Sequence, residues 1–470
     1  MIDLKKIDFK QIPAKQWIKA VAACLSYLLF VAWVGNYWWL LLLPFIADIY
    51  LTKIIPWTFW KEIKNPHIRS LCSWIDAIVF ALVAVYFINN YLFQNYQIPS
   101  SSLEKSLLVG DYLLVSKVHY GPRVPMTPLS MPLVQHSFPW GGKSFSTAIQ
   151  WDYRRLAGLD TIKALDIVVF NFPAGDTVAS LQPNPDYYQL CRYYGKQVVD
   201  NHPEKFGKIV WRPVDRRENY VKRCVGLPGD SLQIINQRIY INGEPQYEPT
   251  GLQFNYLICT DGRAIADKQF EQLGVSVDDR ELINYWPDGL AILKYLDYTP
   301  VNGQYPPVYY LPLTAQAYEQ VKSFPQVVSV KSDPNVFTGK VFPQAYDHWT
   351  RDNYGPIYIP RKGATTPLTL ENLPLYERII RVYEGHDLAV KDSTIFIDGK
   401  PANTYTFAMN YFWMMGDNRH NSEDSRYWGY VPEDHIVGKP LFVWLSIDKD
   451  KPLFQSIRWN RLFKSVDNLK

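Results

Sequence analysis

Twenty-eight consecutive residues, Ala20 to Ala47, carry no charge. That exceeds the roughly 20 apolar residues that take a helix through the hydrocarbon core of a bilayer, so part of the run is read as lying in lipid. Gly35-Asn36 interrupts it near the middle and Pro44 near the end, which leaves one long tilted helix or two short ones in a hairpin. A second charge-free run, AIVFALVAVYFINNYLFQNY, follows Asp76 and leads into IPSSSLEKSLLVGD at 98–111. Lys5, Lys6, Lys10, Lys15 and Lys19 precede the first run, and Lys53, Lys61, Lys64 and Arg69 fill the loop before the second. Such cations collect in short cytoplasmic segments. Both segments therefore belong inside, which calls for a hairpin within 20–51 and an outward crossing at 75–96. Residues 1–96 then form a multi-pass membrane anchor, the lipid bilayer is a partner, and all that follows is extracytoplasmic. Segment 37–51 is short for a full span and carries Asp48. VAAC, Val21–Cys24, matches a lipoprotein-type cleavage pattern, but the apolar run follows this cysteine instead of preceding it. The run also far exceeds the 7–15-residue core of a removable signal peptide.

Beyond the anchor, short β-branched and aromatic runs alternate with turn residues: YLLVSKV, DIVVFNF, SLQIINQRIYINGEP, STIFIDGKPA and PLFVWLSI. With 34 prolines and few stretches of helical period, this predicts N-terminal transmembrane helices followed by a mainly β body. QRIYINGEP and STIFIDGKP, about 156 residues apart, read as hairpins with Asn-Gly or Asp-Gly turns, either a duplication or a recurrent common hairpin. Segment 247–375 is rich in Tyr, Pro and Gln, holds no recognisable chemical motif, and reads as an inserted accessory domain. The β core is then 97–246 with 376–450. A basic, aromatic tail, 451–470, contains SIRWNRLFKSV, which suits a membrane interface or a packed terminal helix.

The net charge of +4 is modest for 470 residues, and no basic block points to a nucleic-acid partner. Cys24, Cys72, Cys191, Cys224 and Cys259 show neither CxxC spacing nor a nearby His pair, so no metal or other cofactor is implied. At most one disulfide fits, among Cys191, Cys224 and Cys259.

Four stretches carry candidate chemistry. Ser102-Leu-Glu-Lys105 fits S-x-x-K, but the S-x-N and K-[ST]-G elements that accompany it in penicillin-binding proteins do not occur. GGKS at 141–144 lacks the first glycine of a phosphate loop, Ser137 standing in its place, and reads as a turn. In ENYVKRCVGLPGD, strand alternation sets Tyr220, Lys222 and Cys224 on one face and Val221 and Arg223 on the other, so only one of the two adjacent cations is expected to face a core. A lysine among apolar side chains loses hydration and its pKa falls toward that of a usable base; taken alone, this stretch reads rather as surface strand residues before a GLPGD turn. In MGDNRHNSEDSRYWGYVPEDHIVGK, 415–439, Asp424 and Arg426 can form a fixing ion pair and Ser422 can orient a neighbour, although taken alone the stretch reads rather as a polar surface turn.

In this order, an apolar anchor, PSSSLEKSLLVGDYLLVSK, LDIVVFNFP, YVKRCVGLPGD and MGDNRHNSEDSRYWGYVP resemble the membrane-bound type I signal peptidases, which are Ser–Lys endopeptidases, and in particular the long members from Bacteroidetes-type bacteria. The resemblance implies Ser102 as nucleophile and Lys222 as general base, with Ser100 and the Ser102 backbone N–H as the oxyanion hole. It implies that Ser422 orients Lys222, that Asp424 and Arg426 hold the loop, and that Gly416 permits close packing. Pockets for small residues would be lined by Ile98, Leu103, Leu107, Leu113, Val169, Tyr220 and Val221. Preprotein signal peptides, and with them the secretion machinery, are the implied partners, at the bacterial inner membrane with the catalytic domain on its periplasmic side. Departures are Ser101 for a usual Gly, Leu103 for Met, and Lys105-Ser106 for Pro-Thr; they bear on pocket shape. The rival readings are an inactive scaffold and a regulatory Ser–Lys protease.

Overall fold

The computed structural model describes residues 12–335, 338–452 and 455–469; Lys5, Lys6 and Lys10 lie outside the described residues. The chain divides into two compact units, one of the residues through Phe93 with Gly121–Leu159, the other of Gln94–Tyr120 with Asp160 onward.

Two helices of the first unit, Ala14–Val34 and Pro66–Leu92, are long and apolar enough to cross a membrane. The first stops at Gly35, left-handed at φ 65°, the usual glycine stop of a helix. The second starts under Asn65, whose side chain accepts from the N–H groups of His67 and Ile68, with Pro66 in the first turn. Between them Tyr37–Thr52 forms short helical turns. Asp48 is not left bare in this stretch, because its carboxylate accepts from Ile54 N at 2.7 Å, Ile55 N at 3.1 Å and Trp57 Nε1 at 2.8 Å. Gly121–Leu159 belongs with these helices and not with the β body. Trp33 Nε1 donates to Ala157 O at 3.1 Å, Tyr86 OH to Pro128 O at 2.9 Å, and Val124 and Leu156 pack with Val34 and Tyr91. GGKS is a turn here, closed by Phe138 N–H on Gly142 O at 3.1 Å.

The second unit is mainly β. Its largest sheet runs in the order Phe93–Gln97, Asp111–Ser116, Ile436–Ser446, Ile167–Asn171, Asn219–Gly226, Tyr411–Met415, Val431–Pro432, with Lys464–Ser465 on a side branch. The long Ile436–Ser446 strand curls the sheet, since Ile436 and Gly438 pair with Phe170 and Val169 while Lys439–Ser446 pair with Asp111–Ser116. Both faces of the sheet are covered. Ile98, Leu103, Leu107, Leu113, Ile167 and Val169 form one cluster, and Val168, Phe170, Cys224, Met414 and Trp428 form another. That is why Arg223 is as buried as Lys222, at 0% against 5% exposed. The sequence expectation that only one of them faces a core fails because this central strand has no solvent face.

The two hairpins are each part of a three-stranded meander, Ser231–Ile235/Arg238–Ile241/Glu244–Pro245 and Leu388–Lys391/Thr394–Ile397/Lys400–Pro401. Their pairings repeat position by position: Ile235↔Arg238 and Tyr240↔Pro245 in one, Lys391↔Thr394 and Phe396↔Pro401 in the other. Even the turn bonds match, Asn242 Oδ1 accepting from Ser231 N and Asp398 Oδ1 from Asp387 N. Repeated side-chain bonds at one offset favour duplication over a recurrent common hairpin. Between the meanders, Glu281–Leu282, Val308–Leu313, Phe254–Thr260 and Val327–Ser332 make a separate antiparallel sheet in that order. Helices Asp267–Leu273, Gly289–Tyr295 and Ala315–Lys322 accompany it, and it has its own cores around Ile258 and Leu257. Tyr354–Tyr358 returns to pair with Ser231–Ile235. The C-terminal stretch is not one terminal helix but two 3-10 turns, Trp459–Arg461 and Val466–Leu469, with Lys464–Ser465 on the sheet between them. Arg461 is drawn inward to Asp111, Nη2–Oδ2 2.6 Å. All five cysteines are unpaired.

Candidate active site

Ser102 lies in a single 3-10 turn, Ser101–Leu103, entered from an extended Ser100. Glu104 N–H closes the turn on Ser101 O at 2.9 Å, and Leu107 N–H bonds to Leu103 O at 2.8 Å. From the opposite loop, Asn418 N–H donates to Ser102 O at 3.1 Å and Asn418 Nδ2 to Ser101 O at 3.3 Å. Lys222 projects from the middle of Asn219–Gly226, level with Val168 on the adjoining strand. Its Nζ stands 2.5 Å from Ser102 Oγ, in a hydrogen bond between two buried side chains.

Burial brings the Lys222 pKa down from 10.5 to about 8, with Asp424 and Glu423 pulling the other way. A charged amine out of water is disfavoured, so about a tenth of Lys222 is neutral at pH 7, against well under a hundredth for an ordinary lysine, and can accept a proton. Lys105 is placed otherwise: its Nζ donates to Gly274 O, away from Ser102.

The polar loop is interior, not a surface turn. Asp424 and Arg426 are 0% and 1% exposed and paired through both carboxylate oxygens, Nε–Oδ1 2.9 Å and Nη2–Oδ2 2.8 Å. Asp424 also accepts from Gly416 N at 3.2 Å. A Cβ on Gly416 would stand 2.3 Å from Ser422 Oγ and 2.5 Å from Ser102 O, so only glycine lets this strand end approach the serine. Ser422 is buried beside it, and its hydroxyl has no hydrogen-bond partner among the described residues. Ser100 is exposed.

Six of the seven expected pocket residues fall together, Ile98, Leu103, Leu107, Leu113, Val169 and Val221, in the cluster under the Ser102 turn. Tyr220 belongs to the other cluster. It stacks on Phe172 with centroids 4.5 Å apart, while its ring centroid lies 5.9 Å from Lys222 Nζ.

Sequence reasoning missed three groups. Arg223 makes a bidentate bond to Asp417, Nε–Oδ1 2.7 Å and Nη2–Oδ2 2.6 Å, and Ser106 Oγ donates to the same carboxylate at 2.7 Å. This ties the strand of Lys222 to both loops; the adjacent Lys-Arg pair and the GDN triplet were its only sequence signals. His420 is neutral, because Nδ1 accepts from Asn255 N at 3.1 Å while Nε2 faces Asp352 Oδ1 at 2.9 Å, and burial depresses its pKa. Glu423, held by Gln189 Nε2 at 3.1 Å, is raised to about 7 by burial and by Asp186. Among the described residues no group of three or more His, Cys, Asp or Glu is arranged to hold a metal ion.

A buried serine hydroxyl hydrogen-bonded to a lysine of depressed pKa sets a nucleophile within reach of a base. The signal peptidase family, peptidase S26, matches residues 71–273 and 402–445, more than half of the chain. Signal peptidase I of Buchnera aphidicola from Acyrthosiphon pisum is 22% identical over 400 residues, covering 85% of this chain and 82% of that protein. Signal peptidase I of Helicobacter pylori is 20% identical over 420 residues, covering 86% and 94%. That of Haemophilus influenzae reaches 41% over 56 residues, 12% of this chain and 16% of its own. The chain belongs to the signal peptidase family, peptidase S26. Its activity is that of a serine peptidase that cleaves signal peptides.

Proposed function

We propose that the cleavage runs on a Ser102–Lys222 dyad. Neutral Lys222 takes the proton of the Ser102 hydroxyl as Oγ attacks the carbonyl carbon of the scissile bond. The oxyanion that forms is met by the Ser102 backbone N–H and the hydroxyl of Ser100, groups placed for the charge of the transition state. Collapse breaks the C–N bond, the Lys222 ammonium gives its proton to the departing amine, and the signal peptide is left as an ester on Ser102. Lys222 then deprotonates a water, which cleaves that ester and restores the hydroxyl. Asp424 and Arg426 fix the loop at Gly416 and Ser422, and Ser422 turns toward the Lys222 ammonium once it is charged. The apolar cluster under the Ser102 turn, with Tyr220 at the side of Lys222, receives the small residues before the cut. The observation that carries this reading is the 2.5 Å contact of Lys222 Nζ with Ser102 Oγ.

Ala14–Val34 and Pro66–Leu92 are proposed as membrane spans. Tyr37–Thr52 is shorter than the roughly 20 residues of a full span. The cationic loop before Pro66 belongs inside, so the last span runs outward and delivers Ser102 to the periplasmic side of a bacterial inner membrane. Preproteins emerging from the secretion machinery present their cleavage sites on that side.

The test is to incubate the detergent-solubilised protein with a preprotein. Ser102→Ala and Lys222→Ala should each abolish cleavage while the fold persists; cleavage by either variant at the parent rate overturns the dyad.

A further inference from the structure

Resting on the dyad reading, we propose that Lys105 is a positioning residue, a strut through which the segment outside the family match sets the place of Ser102. The match breaks off at residue 273 and resumes at 402. The turn that begins at the break, Gly274–Asp279, lies against the two residues that flank the nucleophile loop. On one side Ser101 Oγ donates to Asp279 Oδ1 at 3.3 Å, and Ser276 Oγ holds the other oxygen of that carboxylate at 2.6 Å. On the other side Lys105 Nζ donates to Gly274 O.

The lysine is built into this contact. Its backbone stands at φ +76°, the left-handed region that L side chains disfavour. Two glycines make room for the side chain: a Cβ on Gly251 would sit 3.0 Å from Lys105 Cβ, and one on Gly274 would sit 2.7 Å from Nζ. Burial lowers the Lys105 pKa against the pull of Glu104 and Asp279. Gln253, on the matched side of the break, holds the opposite loop, its N–H donating to Asp417 O and Arg419 N–H to Gln253 O, both at 2.9 Å. Between those two bonds sits Asn418, the donor to Ser102 O.

The chemistry explains why this matters. Lys222 is on the middle strand of a covered sheet, whereas Ser102 is on one 3-10 turn outside it, and catalytic groups need placement within about 0.5 Å. Misplacement by about 1 Å can cost on the order of 100-fold in rate. A strut that fails by part of that distance should slow turnover without touching the substrate pocket.

Two variants separate position from fold. Lys105→Met keeps the stem and removes the donor; Lys105→Gly relaxes the left-handed backbone and removes the strut. Both are measured in the full-length, detergent-solubilised protein with a preprotein, alongside Asp279→Ala and the double variant. Expected for both Lys105 variants is a kcat lower by roughly tenfold, with KM and the thermal midpoint unchanged. Lys105→Met combined with Asp279→Ala should cost less than the product of the single effects, because both contacts act on one loop. Parent kcat in Lys105→Gly, or a loss in both variants that tracks the fraction unfolded, overturns the strut. Ser102→Ala assayed beside them reports on the dyad itself: cleavage there at the parent rate refutes the dyad, whereas an inactive Ser102→Ala with fully active Lys105 variants refutes only the strut.

Discussion

Asp424→Asn puts the polar loop to a quantitative test. Asp424 accepts from Arg426 Nε, Arg426 Nη2, Arg426 N and Gly416 N at 2.8–3.2 Å, and nothing in its surroundings is solvent. Burial would raise its pKa, but Arg426 and the Gly416 N–H outweigh that and keep it below the ordinary carboxylate value. The amide removes the charge and turns one acceptor into a donor facing donors. Breaking one side of a buried ion pair costs about 3–5 kcal/mol, a large part of a total stability of about 5–15 kcal/mol. The thermal midpoint should fall on the order of 5–15 °C. Function should shift in a second way. Asp424 opposes the loss of charge on Lys222 while Arg426 favours it, so with Asn the Lys222 pKa drops further and the acid limb of kcat/KM moves to lower pH. The assay is thermal unfolding in detergent together with a pH–rate series below the melting range. An unchanged midpoint with an unmoved limb would refute both the fixing role and the electrostatic coupling to Lys222.

Other outcomes follow from single contacts. Gly416→Ala should cut kcat by about 100-fold, because the new methyl meets Ser422 Oγ and Ser102 O at 2.3 and 2.5 Å and must push the serine from Lys222; a preprotein assay showing parent activity counts against that packing. For His420 the folded pKa lies below its ordinary 6.5, so the stability it contributes is present above about pH 6.5 and is lost as pH falls through the lowered folded value. Protonation also strips Asn255 N–H of its acceptor, beside Asp352, Asp333 and Arg351. Denaturant midpoints at pH 7.5 and 5.5 should therefore fall more in the parent than in His420→Gln, and equal falls would remove His420 from the acid response.

The mainly β body was legible because its strands are short, β-branched and bounded by turn residues, and the two meanders announced themselves through their Asn-Gly and Asp-Gly turns. The two long apolar helices were legible from uncharged length alone. What the sequence did not show is what is far apart along it. Arg223 meets Asp417 across 194 residues and Lys105 meets Gly274 across 169, and no local pattern encodes either. Strand alternation separated Lys222 from Arg223 but gave no reason to prefer one for the interior, since both faces of that strand are covered. Preference for Lys222 came from the resemblance of whole motifs. The sheet of Phe254–Ser332 was opaque for a related reason: Val308–Leu313 is buried at every position, which erases the period-two signal of a half-buried strand.

The most direct test of the dyad is the pH dependence of kcat/KM for preprotein cleavage, which reports the free enzyme's essential base. With Lys222 at about 8, the rate should fall about tenfold per pH unit below pH 8 and level off above it. Glu423 and Glu104 titrate near 7, so the series is repeated in Glu423→Gln and Glu104→Gln, and the limb should persist in both, displaced to lower pH in Glu423→Gln because that carboxylate holds the Lys222 pKa up. A limb near 10.5, or one that vanishes with either glutamate, would contradict Lys222 as the base that activates Ser102.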